Sequence, residues 1–407
     1  MNKKWLVFLG SGRFQISSII KAKSLGYSII SFDMDIHAPG FNLSDLFFNI
    51  DIRNYKLILE KISQLKIRPL KYISICNEAG IQSEIILNYL NMNSVSDINE
   101  YLNKYLFLTN KYHQRKLFKK HTNFQLPKFQ IFNFKNKDNY FNFKNKVILK
   151  PSDSSGSRGI IVKNKLSEIN KNDFLYVKKY SSDRKVLIED YINGTEFAVE
   201  AFVYKKKVEI ILINKKIKRK GTSNTVAEAY FAMTIKDRLF KKIKMATEEI
   251  LKNLSLLRKG YFHLEYIIDK KEKIYLVEFA GRGPGFHVFD KFIPFLTGYN
   301  IIENNLNFLL NKKIEQFNYK NNLYGLMYFF TSKSRKDKVQ IKLNIKEKLN
   351  NINYEFGLFN NNKNNIKNKF TDEDRLGYLM IKNKNKKKLI ENFNLMKKLI
   401  KIYWNDW

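Results

Sequence analysis

Two glutamates set into apolar strand sequence are the residues best placed to do chemistry. In YFHLEYIIDKKEKIYLVEFAGR (residues 261–282), two apolar runs flank a polar turn, and Glu265 and Glu278 interrupt them. A hairpin turning on Lys271 and Glu272 sets Glu265 directly opposite Glu278, since both lie equally far from that turn. Opposed residues share a face, so both carboxylates point the same way, whereas a register slipped by one residue separates them. Two acids on one face repel unless a cation lies between them, and hard oxygen ligands suit Mg²⁺ bridged to phosphates. Solvated strand acids are the plainer alternative.

Three glycine-bearing loops offer further chemistry. In ILKPSDSSGSRGI (148–160), Lys150 ends a strand and a Ser/Gly loop follows. Small residues let backbone N–H groups approach phosphate oxygens, serine hydroxyls add donors and Lys150 adds a cation. The loop lacks the G-K-[ST] ending and following helix of a P-loop, and a polar hairpin turn is the other reading. Gly10 and Gly12 form G-x-G, but position 15 is Gln, so the dinucleotide fingerprint is broken even though Asp33 stands where an acidic ribose ligand would. NAD binding and a cofactor-free tight turn both remain open there. GRGPGFHVFDKF (281–292) brings glycines that let a substrate approach backbone amides, and ends in His287 and Asp290. His287 is a substrate-orienting or acid/base candidate, or else a packing histidine. Lys215 and Lys216, after VEIILIN, are weaker candidates for a phosphate contact.

The elements that must position these residues fall into two styles. KWLVFLGSGRF (4–14) reads as a strand and glycine turn, SSIIKAKSLG as a helix closing at Gly26, and YSIISFDMD as a second strand, so the chain opens with a βαβ unit and a parallel, Rossmann-like sheet. YISICNE (72–78) and a helix over 81–90 extend it to a boundary near residue 105. From residue 145 strand pairs dominate, interrupted by a helix over 237–257 with apolar residues at helical spacing, which makes the middle α+β. After about residue 311 come an Asn/Lys-rich segment, strands that include DRLGYLMI (374–381), and a last helix over 386–403.

Composition sets limits on partners. The 407 residues carry 74 Lys plus Arg against 38 Asp plus Glu, a net charge of +36. Clustered basic residues suit nucleic acid. Here, however, lysine and asparagine crowd tracts throughout the chain, such as 132–146 and 360–369, in the manner of A/T-rich codons, and no basic stripe forms. One cysteine, Cys76, excludes an intrachain disulfide and fits a reducing, cytoplasmic setting. No run of 18 apolar residues predicts a membrane span.

Lys150, the Ser/Gly loop, VLIEDYINGTEF (186–197) and the Glu265/Glu278 hairpin stand in the order and approximate spacing of the ATP-grasp superfamily, and LFLTNKYHQRKLF (106–118) is similar to the segment that opens that family's ATP-binding region. The chain resembles the carboxylate-amine ligase and carbamoyl-phosphate-synthetase-like branch over residues 1–310, most specifically over 105–290. The resemblance implies a Rossmann-like N-terminal domain (1–105), a small ATP-grasp subdomain with the phosphate loop (106–185), a large subdomain with the metal and substrate sites (186–315) and a C-terminal α+β region (316–407). It implies that Lys111 and Lys150 contact ATP, that Ser154, Ser155, Gly156, Ser157 and Gly159 close over the phosphates, and that Glu189 receives the adenine amino group beside the Asp190–Ile192 backbone. Glu196 then binds ribose, Glu265 and Glu278 bind Mg²⁺ or Mn²⁺, and Arg282, with Lys150, stabilises the reacting phosphate. Gly283, Gly285 and His287 line the substrate loop. The family commonly carries Glu-x-Asn-x-Arg here, whereas this chain has Ala280 in place of Asn, which removes one ligand of a second Mg²⁺.

The implied activity is an ATP-dependent ligase that makes an amide or peptide-like bond through an acyl phosphate. Activation of bicarbonate or carbamate is the alternative within the family. An NAD-linked oxidoreductase and a basic nucleic-acid-binding protein are the rivals outside it. Small-molecule acid and amine partners are expected, without specific nucleic acid or membrane, and a homodimer is the commonest closed assembly.

Overall fold

Nearly continuous apolar runs make strands that are covered on both faces, and the first two such runs build a parallel sheet. The computed structural model describes residues 3–404 apart from 93–97, 120–121, 141–142, 144, 155, 157, 219–226, 255–257, 319, 321, 332–338, 344–351 and 360–374. β1 (Trp5–Leu9), α1 (Ile16–Ser24), β2 (Ser28–Asp33), β3 (Leu46–Asn49), α2 (Tyr55–Gln64), β4 (Lys71–Ile73) and α3 (Ile81–Leu90) form the expected opening, with parallel strands in the order β3-β2-β1-β4. Gly26 ends α1 at φ +83°, the left-handed conformation that glycine adopts without a Cβ clash. β4 stops at Ile73, short of the strand expected to Glu78, because the chain bends into a loop where Cys76 is left-handed at φ 54°.

Beyond α4 (Ile98–Tyr105) and α5 (Lys111–Leu117), β5 (Phe129–Phe132), β6 (Val147–Pro151), β7 (Ile161–Lys163) and β8 (Val186–Asp190) form an antiparallel sheet ordered β5-β8-β6-β7. α6 (Lys171–Lys179) starts at a reciprocal cap between Asn170 and Asp173 and buries Val177 with Val147, Leu149 and Ile188 beneath it.

The larger sheet takes β9 (Gly194–Tyr204), β10 (Lys207–Lys218), β11 (Ala227–Ala232), β12 (Gly260–Asp269) and β13 (Ile274–Ala280). Along β9, Phe197, Val199, Ala201 and Val203 face α7 (Phe240–Leu254), which meets them with Ile243, Ile250 and Leu251. The alternate residues Glu196 and Glu200 therefore fall on the opposite face, where the site forms. After α8 (Ile293–Thr297) and α9 (Ile301–Leu309), β14 (Tyr324–Thr331), β16 (Asn353–Leu358) and β17 (Arg375–Asn383) continue this same sheet, giving the order β13-β12-β9-β10-β11-β14-β17-β16 among the described residues. The last helix, α10 (Lys386–Leu399), is shorter than the sequence predicts: Ile400–Trp404 forms β18, which pairs with β15 (Val339–Leu343). Its IKIYW sequence suits a strand better than a helical turn. The Asn/Lys tract at 360–369 lies outside the described residues.

Candidate active site

The β12–β13 hairpin does bring Glu265 and Glu278 face to face, by a route the sequence does not reveal. Near the turn Ile268 pairs with Ile274 and Tyr266 with Leu276, a register centred on Lys271 and not between Lys271 and Glu272. A three-residue turn over 270–272, with Glu272 left-handed at φ 59°, replaces the two-residue turn and accounts for that shift. Continued unchanged, the register would set Glu265 opposite Val277 and turn Glu278 to the far face. A β-bulge between Glu265 and Tyr266 absorbs Val277 as the extra residue, so that Glu265 pairs with Glu278 and His263 with Ala280. The edge of β13 records the same shift. Before the bulge, Ile274 and Leu276 bond outward to Gln125; after it, the carbonyls of Val277 and Phe279 point outward, to Arg115 and Gln114.

Glu265 belongs to a charged belt across the sheet. Lys216 on β10 pairs with Glu196 and, at 2.8 Å, with Glu265, and Lys218 reaches Glu196 at 2.8 Å. His263 sits between Glu200 (2.9 Å) and Glu265 (3.2 Å). Burial opposes its protonation, but Glu200 and then Glu265 outweigh burial and lift its pKa to about 10. Burial likewise works against charge on Glu265, yet Lys216 and His263 hold its carboxyl well below the usual range. Glu278 differs: its carboxylate makes no hydrogen bond or ion pair with any described residue. Its pKa is raised, first by burial and then by Glu265 and Glu78, against the pull of Lys111 and His263.

That isolated carboxylate beside a second one is the local test of whether a divalent cation fits. Oxygen donors of like charge, one without a partner among the described residues, suit Mg²⁺ or Mn²⁺. No group of three or more His, Cys, Asp or Glu side chains among the described residues is arranged to hold a metal ion alone. The residues therefore fit a metal whose remaining ligands come with a phosphate-bearing substrate.

On the small-sheet side, Glu189 at the end of β8 is fully buried and holds two cations, Arg115 Nε and Lys150 Nζ, each at 2.7 Å. Burial opposes its ionisation, but Arg115 and then Lys150 prevail and bring its pKa down to about 2. Lys111 stands one helical turn before Arg115 on α5, which Asn110 caps. Its backbone N–H donates to the Ser152 carbonyl at 2.7 Å and its Nζ to the Ser154 carbonyl at 2.5 Å, so the lysine already grips the Ser/Gly loop. The base of the loop is pinned as Ser152 Oγ donates to Asp183 at 2.5 Å. Gly156 is left-handed with open space around it, whereas a Cβ on Gly159 would lie 2.7 Å from Tyr180.

Arg282 leaves β13 and pairs with Glu78, a first-domain residue 204 positions away. Gly281 and Gly283 are required by close packing, their missing Cβ atoms falling 2.6 Å from Leu108 and 2.5 Å from Phe289. Phe286 and His287 are both left-handed. The His287 ring stacks on Phe359 and meets Phe14 edge-on, while its Nδ1 lies 2.9 Å from Asp290, which accepts from Ser17 of α1 at 2.7 Å. This histidine ties the loop to the first domain.

One cavity of about 370 Å³ gathers most of these groups: Lys111, Lys150, Gly156, Glu189, Asp190, Ile192, Glu196, Glu265, Glu278, Arg282 and Gly285 all line it. Ser154, Gly159, Gly283 and His287 do not, and Ser155 and Ser157 lie outside the described residues. Arg115, Glu78, Glu200 and His263 are the residues sequence reasoning missed. Two had a local signal: Arg115 lies four residues after Lys111, and His263 shares a strand face with Glu265. Lys216 joins the belt and the cavity wall, while Lys215 lies on the other face of its strand. In the first domain, Asp33 accepts from Ser11 N (2.8 Å) and Asp35 N (2.9 Å), and Gln15 donates to the Ile75 carbonyl at 2.6 Å. The chain's own groups thus close the G-x-G loop.

Residues 143–289 match the model of a family described as the ATP-grasp domain. Solved structures share the whole fold. A phosphoribosylglycinamide synthetase from Anaerococcus prevotii is 21% identical, covering 99% of this chain and 100% of its own, with a TM-score of 0.70. An L-amino acid ligase from Bacillus licheniformis is 14% identical over 100% and 99%, with a TM-score of 0.72. An N5-carboxyaminoimidazole ribonucleotide synthetase from Thermotoga maritima is 14% identical over 99% and 100%, with a TM-score of 0.70.

Proposed function

We propose that this chain, a member of the ATP-grasp superfamily through residues 143–289, is an ATP- and Mg²⁺-dependent ligase that joins a carboxylate to an amine. The observation that carries the reading is the Glu265–Glu278 pair, set by the bulge into one cavity with Lys111, Lys150 and Arg282. The strand end Asp190–Ile192 would receive adenine, Glu196 the ribose hydroxyls, and Lys111 and Lys150 the phosphates. Glu265 and Glu278 would hold Mg²⁺ or Mn²⁺, which when bound offsets charge on the transferring phosphoryl group.

In the first step a carboxylate oxygen attacks the γ-phosphorus and the bond to the ADP oxygen breaks. In the second, the amine nitrogen attacks the acyl carbon, the carbon–oxygen bond to phosphate breaks, and the nitrogen loses a proton. The chain contributes position and fixed charge: Arg282, held by Glu78, lies beside the acids where negative charge develops. Small-molecule acid and amine substrates, a cytoplasmic setting and a homodimer complete the proposal. No described helix is long and apolar enough to cross a membrane.

The test is mass spectrometry of a cell-extract metabolite pool incubated with the protein, ATP and Mg²⁺. The expected result is two small molecules consumed into one product lighter by one water, with ADP formed in equal amount. ATP left intact across a broad pool, or ADP formed without any joined product, would overturn the ligase reading.

A further inference from the structure

The bulge that aligns Glu265 with Glu278 leaves the Val277 carbonyl outside the β12–β13 ladder. A backbone carbonyl in the interior needs a partner, and losing one costs more than the bond itself contributes. Arg115 supplies it: Nη2 donates to Val277 O at 2.7 Å, while Nε donates to Glu189 at 2.7 Å. Both charged side chains are fully buried. The second oxygen of Glu189 accepts from Lys150. A single guanidinium therefore joins β8 of the smaller sheet to β13 of the larger one, and its neighbour Gln114 caps Phe279 O at 2.7 Å on the far side of Glu278.

We propose that Arg115 is a positioning residue with two separable arms: through Glu189 it sets Lys150 in the nucleotide cavity, and through Val277 O it holds the bulge that pairs Glu265 with Glu278. It is absent from the cavity wall, so its effect passes through the groups it holds. The inference rests on the nucleotide and metal site proposed above. Arginine suits the task because its planar fork presents Nε and Nη2 donors to two acceptors at once, whereas lysine offers one ammonium nitrogen. Lysine at this position preserves the charge beside Glu189 and gives up the fork.

That distinction separates the two arms by binding alone, without knowledge of the substrates. ATP affinity of the full chain is measured by calorimetry in EDTA and in excess Mg²⁺, with thermal melting run alongside. Arg115→Lys is expected to keep metal-free ATP affinity close to that of the unsubstituted chain while the tightening by Mg²⁺ falls about tenfold, as for loss of a group that orients a metal ligand. Arg115→Met is expected to lose affinity in both conditions, since Glu189 then draws on Lys150 alone. Should the methionine variant not fold, the lysine variant decides the matter. Equal losses for Arg115→Lys in EDTA and Mg²⁺, or no loss in either, would overturn the proposal and leave Arg115 a packing residue. Failure of the unsubstituted chain to bind ATP in either condition would instead remove the nucleotide site, and this inference with it.

Discussion

Asp33 and Glu278 are acids at the ends of buried strands, each leads into a glycine-bearing loop, and both line the same cavity. Their carboxylates are used in opposite ways. Asp33 accepts two backbone N–H groups and so stabilises its own loop. Glu278 accepts nothing from the described residues and is held between burial and two neighbouring carboxylates. Position at a strand end therefore does not identify a functional acid. What distinguishes Glu278 is an electrostatic need that the fold leaves unmet and a bound cation would satisfy.

Glu278→Gln should have the largest effect on that contrast. ATP-dependent turnover should fall on the order of 10²–10³-fold, as when a group stabilising transferred charge is removed. The melting temperature should hold or rise, because a partly buried carboxylate whose pKa burial and two neighbouring acids raise has gone. Retained turnover would erase the distinction from Asp33. Glu189 is the intermediate case, a buried acid with both oxygens committed to cations. Glu189→Gln should cost about 3 kcal/mol at neutral pH, because Arg115 and Lys150 lose their counter-charge. Its folded pKa is depressed from 4.5 to about 2, so the unfolded chain binds the proton first. Its contribution is thus complete above about 4.5 and disappears as pH falls toward about 2, and urea denaturation across that range should show the variant and the unsubstituted chain converging in acid. The smallest effect belongs to Asp33→Asn, about 1 kcal/mol of stability from weakened acceptors. Its turnover should not change, and a loss comparable to that of Glu278→Gln would place Asp33 in the site.

The elements around these acids were legible because their periods are local. The apolar runs at 5–9, 28–33, 260–268 and 274–280 and the helical spacing of α7 follow from burial on one face or two. So does the opposition of Glu265 and Glu278, which a two-residue turn on Lys271 and Glu272 would give directly and which the hairpin reaches through a register centred on Lys271 and a bulge. Nothing in Leu276-Val277 marks which residue bulges, since both are apolar and of similar strand preference. Arg115 sits among lysines in sequence, and its meaning comes from partners 74 and 162 residues away. Glu78 and Arg282 are joined across 204 positions. His287 stood in the substrate loop by resemblance, but Phe359 and Tyr378, brought in by the distant C-terminal strands, take up its ring.

If the bulge pairs Glu265 and Glu278 to hold the metal that accompanies ATP, both carboxylates must reach that metal in the nucleotide-bound chain. A crystal structure of the chain with a non-hydrolysable ATP analogue and Mn²⁺, phased for manganese anomalous scattering, tests it directly. The expected result is an anomalous peak bonded to both carboxylates and to the analogue's phosphates, with Val277 still bulged and bonded to Arg115. A peak on the phosphates that contacts neither glutamate, or a hairpin in which Glu265 faces Val277, would contradict it.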